Sequence, residues 1–575
     1  MRIVNRSWDL EKASFSLAIP TLLQGIYQSR GLSSDADLSL HLSQLPSPEK
    51  MLGLDTAVEH LVEALNSKQR IVIVGDFDAD GATSSALMVL ALGAMGYQSV
   101  DFLVPNRFDY GYGLTPEIVE LAQQKQPHLI ITVDNGISSI EGVELANKLG
   151  IKVIVTDHHL PGSTLPAAAA IVNPNQPGCQ FPCKNLAGVA VAFYLLSALR
   201  AKLRELHWFE EHAISEPNMA NYLDLVALGT VADVVPLDQV NRVLVHQGLL
   251  RIRAGHGRPG INALLKIAGK NLSQLVASDM GFAVAPRLNA AGRLDDISYG
   301  IQCLLTDDPV VALQRAQELE QFNQDRKTIE REMQLEALKI VEGLTLADQN
   351  KLPSAFCLYQ PDWHQGVVGL LASRIKEKYH RPVAVFARDG SGMLKGSVRS
   401  ISGLHIRDAL DAVATQNPGL ISKFGGHAMA AGLSLDENKF DQFEQALQQQ
   451  VVDTIDPQDL QATLQTDGQL DADQLTMQTA TILRDAGPWG QAFPEPCFQG
   501  EFNLKSQRIV GENHLKVLLT PISAESPAID GIYFNIDPEK WPSTAAKVHC
   551  VYRLDINEFR GRKSLQMLIQ YIEPL

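Results

Sequence analysis

Three short apolar runs that end in aspartate constrain the fold of this chain more than any other feature. IVIV precedes the motif GDFDADG at residues 75–81, LIITV precedes Asp134, and VIVT precedes Asp157. Each run is followed by polar residues and then by a stretch compatible with a helix. This α/β alternation predicts a parallel sheet. Because ligands of such sheets bind beyond the carboxyl ends of the strands, we expect the aspartates to meet in one crevice.

The first of these loops carries Asp76, Asp78 and Asp80 in alternation, between Gly75 and Gly81. Carboxylates this close together repel one another unless a positive charge lies among them. Taken alone, the motif also fits a solvated acidic loop or a turn in which aspartate caps a helix. Its position directly after a strand of the buried type favours a ligand site.

Histidine and a further acid extend the pattern. Asp157 is followed by His158 and His159, and Asp233 lies inside the apolar segment ALGTVADVVPL. Carboxylates with imidazoles suit Mn²⁺ or Mg²⁺ better than they suit a thiolate zinc site. An adjacent histidine pair is also compatible with a structural role, and an isolated acid can cap a helix. Together, the four acidic segments predict a divalent-metal centre.

The rest of the chain divides by its hydrophobic pattern. Residues 307–350 have helical periodicity among many charges, which predicts a long connecting helix. Residues 351–452 resume α/β alternation, and strand-turn-strand patterns in 453–575 fit a five-stranded barrel of the oligonucleotide-binding (OB) type. Residues 1–50 are interpreted as a cap that precedes a catalytic domain at 51–306. The predicted fold class is α/β, with two α/β domains joined by a long helix and a C-terminal β-barrel.

Composition restricts the class of protein. Of 575 residues, 45% are hydrophobic and 20% are charged, which is globular usage. No apolar run reaches the roughly 18–20 residues of a membrane helix, and the N-terminus has no secretory pattern. We therefore expect a cytoplasmic protein without membrane contact, with its six cysteines reduced. The formal net charge of -16 argues against a uniformly basic surface, so nucleic-acid binding would need a local basic groove.

The motifs GDFDADG, VDNG, TDHH and GTVADVVPL occur in the order and approximate spacing found in the DHH phosphoesterase superfamily. From residue 20 to the end, the chain resembles the single-strand-specific DNA exonucleases of that superfamily, and FGGHAMAAG resembles the signature of the associated DHHA1 domain. The resemblance implies metal-dependent 5′-to-3′ hydrolysis of single-stranded DNA to mononucleotides in recombination and repair. It also implies a helicase that supplies the strand, the single-strand-binding protein as a partner, and a monomeric enzyme.

The resemblance assigns metal ligands and catalytic groups. Two divalent cations, Mn²⁺ or Mg²⁺, are expected, with the ligands Asp76, Asp78, Asp80, Asp134, His158 and Asp233. Asp134 is expected to bridge the ions. His159, Asp157 and Asp76 are expected to act in catalysis, with His159 beside the scissile phosphate. Many superfamily members have histidine where this chain has Val74, so Asp76 is expected to complete the first metal site.

Substrate binding is assigned to a second set of residues. Ser397 and Arg399 lie two positions apart, so on a strand they face the same side. With Arg107 they are expected to hold the terminal phosphate about one nucleotide from the metals. Gly425 and Gly426 leave backbone N–H groups open to a phosphate, although such a pair also suits a packing turn. The full set is Arg107, Arg287, His364, Ser397, Arg399, Gly425, Gly426, His427, Arg508, Lys516 and Arg560.

The predicted barrel interleaves basic residues with aromatic rings. Arg508, Lys516 and Arg560 lie in the same segments as Phe502 and Tyr552. Basic residues with stacking rings are typical of single-strand binding, but rings on strands more often belong to a core. The basic residues are therefore the stronger candidates for strand contact.

Two other functions fit part of the pattern. Shorter DHH phosphoesterases act on nanoRNA, cyclic dinucleotides or pyrophosphate, and the predicted barrel and long helix disfavour them. A catalytically silent DNA-binding relative would lack motif acids, whereas all of these acids are present here.

Overall fold

The structure of the protein is a computed structural model. It describes residues 1–9, 13–16, 18–106, 110–347, 352–390, 392–511, 513–523, 527–537, 541, 544–559 and 561–575. The chain forms two compact units. The larger unit comprises Asn5–Glu320 and Gln465–Leu575, and the smaller unit comprises Met1–Val4 and Gln321–Leu464.

The described residues form the following helices and strands. The strands are β1 (Arg2–Asn5), β2 (Ile71–Gly75), β3 (Val100–Leu103), β4 (Leu129–Val133), β5 (Lys152–Thr156), β6 (Ala170–Val172), β7 (Phe356–Tyr359), β8 (Val383–Arg388), β9 (Met393–Arg399), β10 (Lys423–Gly426), β11 (Ala430–Asp436), β12 (Thr463–Thr466), β13 (Phe498–Val510), β14 (His514–Pro521), β15 (Ile529–Tyr533), β16 (Lys547–Phe559) and β17 (Arg562–Pro574). The α-helices are α1 (Thr21–Gln28), α2 (Leu54–Asn66), α3 (Ala79–Ala94), α4 (Pro116–Gln123), α5 (Ile140–Lys148), α6 (Gly188–Glu205), α7 (Trp208–Glu211), α8 (Leu223–Ala232), α9 (Gln239–Arg253), α10 (Pro259–Ile267), α11 (Ala277–Asp279), α12 (Ala285–Leu294), α13 (Ser298–Leu305), α14 (Pro309–Ala347), α15 (Val368–Tyr379), α16 (Ile406–Gln416), α17 (Phe440–Thr454) and α18 (Met477–Asp485). A π-helical turn, Met280–Val284, joins α11 to α12.

The larger unit contains a parallel sheet with the strand order β3-β2-β4-β5-β6. Strands β2 and β4 are buried along their whole length, which explains why their sequences are apolar runs without alternation. On one face of the sheet, Val72 and Val74 pack with Ile118 of α4 and Val143 of α5. The predicted parallel sheet is confirmed.

The register of this sheet brings three strand ends to one level. Gly75 pairs with Val133, and Val133 pairs with Thr156. The next residue after each of these is Asp76, Asp134 or Asp157, so the three aspartates leave the sheet side by side at its carboxyl edge.

The smaller unit contains a mixed five-stranded sheet with the order β10-β11-β9-β8-β7. β7 and β8 are parallel, and the other neighbours are antiparallel. Alternate residues of β8 point to opposite faces, so Phe386 joins a core with α16 and α17, whereas Val385 joins a core with α14 and α15. Helix α14, 39 residues long, confirms the predicted connecting helix.

The C-terminal strands form a closed barrel in the order β13-β14-β15-β17-β16, as predicted for an OB-type barrel. Residues 467–493, which precede this barrel, pack against α1 and the residues that follow it. Arg30 Nη1 lies 2.7 Å from Asp467 Oδ1, and both side chains are almost fully buried. Tyr27 stacks against Trp489 and Phe493. The first helix and the entry to the barrel are therefore one packed structure.

Two sequence-wide features can be checked against the structure. All six cysteines lie among the described residues and carry free thiols. No helix in the described part of the chain has both the length and the apolarity required to cross a bilayer.

Candidate active site

The loop after β2 serves both as a helix start and as a source of carboxylates. Asp78 is the N-cap of α3, and its Oδ1 accepts hydrogen bonds from the N–H groups of Asp80 at 2.9 Å and Gly81 at 3.1 Å. Asp76 and Asp80 are buried. The capping interpretation of this motif and the ligand interpretation therefore apply to the same turn.

Asp80 is held by the N-terminus of α6. Its Oδ2 accepts a hydrogen bond from Gly188 N–H at 2.6 Å, and its Oδ1 accepts one from Val189 N–H at 3.0 Å. Burial and the charge of Asp78 raise the pKa of Asp80 to about 7, although these backbone donors oppose the shift. The helix N-terminus thus orients a carboxylate that is costly to keep ionised in metal-free protein.

Asp134 lies at the centre of the acid cluster. Its backbone adopts the left-handed region with φ 62°, which aspartate tolerates better than most residues. Burial, followed by the charges of Asp80 and Asp78, raises its pKa well above the ordinary value. Its Oδ1 lies 3.1 Å from His158 Nε2. A cation near Asp134 would relieve the repulsion between its carboxylate and those of Asp80 and Asp78.

Asp157 organises the two histidines that follow it. Its Oδ1 accepts hydrogen bonds from the N–H groups of His158 at 2.7 Å and His159 at 3.0 Å, and it lies 2.7 Å from His159 Nδ1. Its Oδ2 accepts the Ile137 N–H at 2.9 Å. Burial alone would raise the pKa of Asp157, but the hydrogen bond from His159 and the charge of that residue lower it overall.

His159 is the counterpart of this interaction. Burial alone would lower its pKa, but the hydrogen bond to Asp157 raises the pKa above its ordinary value. The Tyr112 hydroxyl lies 3.2 Å from His159 Nδ1 and 3.3 Å from its Nε2, and the two rings meet edge to face. The ring of His159 is therefore fixed from two sides.

Asp233 follows the last residue of α8, at the C-terminal rather than the N-terminal end of a helix. Its Oδ2 lies 3.4 Å from His158 Nε2. Burial, followed by the charges of Asp80 and Asp78, raises its pKa well above the ordinary value. A carboxylate gains nothing from the negative end of a helix, so its position is better explained by the cluster it joins.

Three groups of side chains offer ligand atoms that lie within 4.8 Å of one another. The groups are Asp76 with Asp78 and Asp134, Asp80 with His158 and Asp233, and Asp134 with His158 and His159. Among the described residues, the buried oxygens Asp134 Oδ1 and Asp233 Oδ2 accept no hydrogen bond. Buried carboxylate oxygens without a hydrogen-bond donor need another partner. Together with the imidazole nitrogens of these groups, they are suitable ligands for hard divalent cations.

Several residues that shape this site carry no signal in the sequence. Tyr112 contacts His159, and Gly188 and Val189 contribute only backbone N–H groups. The Asn289 side chain accepts a hydrogen bond from Ala79 N–H at 2.7 Å, and Asn173 donates to the carbonyl of His159 at 2.9 Å. No motif identifies any of them, because their partners are distant in the chain.

The substrate residues assigned to the larger unit have different outcomes. Arg287 is buried, and its Nε lies 2.6 Å from the carboxylate of Glu320. Arg508 and Lys516 are paired across β13 and β14, and Lys516 also lies 3.4 Å from Asp530. Arg107 and Arg560 lie outside the described residues. Strand contact by these residues stays a prediction.

The aromatic residues of the barrel can be assigned. Phe502 and Tyr552 are buried and contact each other edge to face, so they belong to the barrel core. The basic pair Arg508 and Lys516 instead carries like charges on directly opposite positions, which is destabilising in isolation. Asp530, 3.4 Å from Lys516, offsets part of that repulsion, and a phosphate bound at Arg508 would offset more of it.

In the smaller unit, Ser397 and Arg399 share one face of β9, as their spacing predicts. Arg399 Nη1 donates to Ser397 Oγ at 2.9 Å. A Cβ on Gly369, in the first turn of α15, would lie 2.9 Å from Arg399 Nη2 and 3.0 Å from Ser397 Oγ. A guanidinium, a hydroxyl and a helix N-terminus therefore meet at one place, which suits an anion.

The remaining predicted residues of this unit lie on β10 and before α15. Gly425 pairs with Gly432 and Gly426 with Ala431, at the edge of the sheet. His427 N–H donates to Ala430 at 2.8 Å, so by alternation the Gly426 N–H points away from β11. His364 Nδ1 accepts the Gly366 N–H at 3.0 Å, and burial lowers its pKa. Contact of Gly425, Gly426, His427 and His364 with substrate stays a prediction.

Comparison with known families covers most of the chain. The model described as the DHH family, N-terminal domain, matches residues 70–230. The model of the DHHA1 domain matches 352–453, and the model of the RecJ OB domain matches 466–571.

Curated and solved relatives show the same similarity. The single-stranded-DNA-specific exonuclease RecJ of Dickeya dadantii is 56% identical over 559 residues, which are 97% of each chain. The crystal structure of RecJ in complex with Mn²⁺ from Thermus thermophilus superposes with a TM-score of 0.80 at 30% identity, covering 100% of this chain and 79% of that one. The structure of RecJ in complex with Mg²⁺ from the same organism gives a TM-score of 0.74 at 28% identity, covering 100% and 78%.

Proposed function

Because the chain belongs to the RecJ family of single-stranded-DNA-specific exonucleases, we propose that it hydrolyses single-stranded DNA in recombination and repair. The observation that carries this proposal is the convergence of Asp76, Asp78, Asp80, Asp134, His158 and Asp233 in the larger unit. A catalytically silent relative would have no need to retain five aspartates at the cost of their mutual repulsion.

The cluster would hold two divalent cations, Mn²⁺ or Mg²⁺. The group Asp76, Asp78 and Asp134 and the group Asp80, His158 and Asp233 are the two ligand sets. Asp134 also belongs to a group with both histidines, which supports its assignment as the bridging ligand. When bound, such cations supply Lewis-acid activation of water and neutralise charge on the reacting phosphate.

The chain's own groups orient the reaction. Asp157 fixes the His159 ring through Nδ1 and raises its pKa, which favours a positively charged imidazole beside a phosphate. His159 then stabilises the negative charge that develops there and can transfer a proton to the departing oxygen. Asp157 accepts four hydrogen-bond contacts from protein groups, so it acts by positioning the histidine.

The polarity is proposed to be 5′ to 3′. The anion site formed by Ser397, Arg399 and the first turn of α15 in the smaller unit supports binding of a strand end, and the resemblance to the superfamily assigns that end as the 5′ end. A guanidinium with neighbouring hydroxyl and N–H donors suits the doubly charged terminal phosphate better than an internal one. An enzyme that anchors a terminal phosphate and hydrolyses the adjoining linkage releases one nucleotide per cycle.

The parts of the chain would divide the work. Residues 51–306 would perform hydrolysis, 351–452 would bind the terminal phosphate, and 453–575 would bind the strand through Arg508, Lys516 and Arg560. Residues 1–50 would cap the catalytic part, and 307–350 would connect the two. The enzyme would act as a monomer on strands supplied by a helicase, with the single-strand-binding protein as a partner.

A doubly labelled oligonucleotide tests this function. A single strand with a different label at each end is incubated with the protein, with Mn²⁺ or with chelator. We expect early release of the 5′ label as a mononucleotide, only with the metal. A cyclic dinucleotide and a blunt duplex serve as comparisons. Preferential hydrolysis of the cyclic dinucleotide, or first release of the 3′ label, would contradict the proposal.

A further inference from the structure

Two large apolar side chains are exposed in segments that adjoin the acidic residues. Phe282 is 84% exposed, and Val234 is 63% exposed. Val234 directly follows Asp233 in the chain. Single exposed apolar residues are ordinary, but a pair next to a polar catalytic cluster is not accounted for by folding.

The backbone of Val234 is unusual in a way that points to function. Its φ is +59°, a left-handed conformation that β-branched residues rarely adopt. Its side chain gains little from burial in return. Strained residues of this kind are concentrated at binding and catalytic sites, where neighbouring structure holds them in place.

Phe282 is presented by the π-helical turn. Pro286 has no N–H, so the Phe282 carbonyl lacks its usual helical donor four residues later. Arg287 Nη1 donates to the Ala283 carbonyl, which stabilises the same turn. A π-helical turn inserts one residue into a helix and turns the side chains that precede it out of phase, and such turns are frequent at functional sites.

Packing places this turn beside the end of α8, and it places the helix that follows the turn beside the loop of Asp76–Asp80. A Cβ on Gly281 would lie 3.2 Å from Val231 Cγ1, in the last turn of α8, which ends at Asp233. On the following helix α12, Asn289 accepts the Ala79 N–H, and a Cβ on Gly292 would lie 2.1 Å from the Phe77 carbonyl oxygen. Phe282 is therefore carried by a continuous segment, residues 280–294, that contacts α8 two residues before Asp233 and also contacts the loop of Asp76–Asp80.

We infer that Phe282, supported by Val234, stacks against a nucleobase of the strand whose phosphate lies at the acid cluster. The inference rests on the proposed function. A base is the part of a nucleotide with an apolar face, and it lies one sugar away from a phosphate that cations held by the neighbouring acids would bind. An internal base in a duplex is covered on both faces by its stacked neighbours, so this contact favours an unpaired strand.

The test measures release of the first nucleotide from oligonucleotides with one abasic position, moved stepwise from the 5′ end. For Phe282→Ala we expect KM to rise about tenfold on an intact strand, with kcat unchanged. Phe282→Trp should keep the wild-type KM. When the abasic site is at the position whose base stacks on Phe282, KM should rise for wild type. For Phe282→Ala, KM should be the same on this strand as on the intact strand. Leu250→Ala, which removes a 41% exposed side chain from α9, is the control and should behave as wild type.

The outcomes separate the two levels of inference. If wild type degrades single strands and Phe282→Ala has the wild-type KM, base stacking is wrong while the proposed function stands. An abasic effect that is equal in wild type and Phe282→Ala would also overturn the stacking contact. If wild type degrades no single strand, both are overturned. As a binding readout, the fluorescence that Phe282→Trp adds should be quenched by an intact oligonucleotide but not by one abasic at the critical position.

Discussion

The α-carbon of Gly188 lies directly against Asp134. A Cβ at Gly188 would be 2.7 Å from Asp134 Cβ and 2.9 Å from its Cα and Oδ1. The N–H of the same glycine donates to Asp80. One residue without a side chain thus sets the positions of two carboxylates.

The Gly188→Ala variant should lose activity while remaining folded. The added methyl group must displace the backbone of Asp134, and a shift of about 1 Å at a reacting centre can lower kcat about 100-fold. Gly93→Ala, in the same class of substitution, is the control, since a Cβ there meets no atom within 4 Å. It should keep full activity and gain about 0.5–1 kcal/mol of stability. Wild-type kcat in folded Gly188→Ala would contradict this account.

Replacing the carboxylate of Asp134 should make the melting temperature of the protein depend less on bound metal. In metal-free protein, Asp134→Asn should raise the melting temperature by about 1–3 °C, because it removes a buried carboxylate repelled by Asp80 and Asp78, and asparagine also tolerates φ 62°. Added Mn²⁺ should stabilise wild type, but much less the variant. Melting curves with Mn²⁺ and with chelator test this. Equal stabilisation of both proteins would count against Asp134 as a shared ligand.

Asp134→Ala, Asp80→Ala and His158→Ala should each abolish hydrolysis without unfolding the protein. Each removes a member of the ligand groups. The measurement is nucleotide release by proteins whose circular dichroism matches wild type. Near-normal turnover by folded Asp134→Ala would reject the two-metal assignment.

Asp157 should act through the histidines. In Asp157→Asn an amide N–H₂ would face donors now satisfied by the carboxylate, so His158 and His159 lose their orientation. We expect activity to fall about 10–100-fold, with more Mn²⁺ needed for half-maximal rate. Asp101→Asn, at an exposed ion pair with Lys125, is the matched control and should change neither quantity. An unchanged metal requirement in Asp157→Asn would show that it does not position a ligand.

Arg399 should affect initiation more than chemistry. A charge-assisted contact to phosphate is worth roughly 1.5–3 kcal/mol, so Arg399→Ala should lower initiation by about one to two decades on a 5′-phosphorylated strand. The same variant on a strand with a 5′-hydroxyl should show a much smaller defect relative to wild type. Equal defects on both strands would show that Arg399 does not read the terminal phosphate.

Charge removal is the appropriate test of the barrel, since truncation near residue 455 would strip Arg30 of Asp467 and Tyr27 of its stacking partners. The double variant Arg508→Ala with Lys516→Ala should bind a long oligonucleotide more weakly. The slope of log affinity against log salt concentration should become shallower by about 0.7 per lost phosphate contact. Lys202→Ala, at an exposed ion pair on α6, is the control. Unchanged affinity and salt slope would remove these residues from the strand-binding surface.

Much of the architecture follows from local patterns. β2, β4 and β5 are apolar because both faces of a parallel sheet are buried, and the shared register then brings Asp76, Asp134 and Asp157 together. The hydrophobic periodicity of the sequence likewise predicts the long helix and the barrel strands. These features are predictable because each depends on neighbouring residues and on one geometric rule.

The supporting shell of the site is different. Asp80 is bound by backbone N–H groups of residues 188 and 189, more than 100 positions away, and any sequence supplies such donors. Arg287, for which strand contact stays a prediction, is buried with its Nε 2.6 Å from Glu320, and nothing near it in the sequence indicates that ion pair. Partners of this kind are set by tertiary packing, which a pattern along the chain does not encode.

The buried pair of Arg30 and Asp467 also bears on how the protein is made. The two residues are 437 positions apart. At about 5–20 residues per second of translation, Asp467 is synthesised roughly 20–90 s after Arg30. Until then Arg30 lacks its counter-ion, and Tyr27 of α1 waits longer still for the rings of Trp489 and Phe493. A chain that ends before residue 467 therefore leaves Leu23, Ile26 and Tyr27 of α1 without their apolar cover, a mark of incompleteness that chaperones and proteases can recognise.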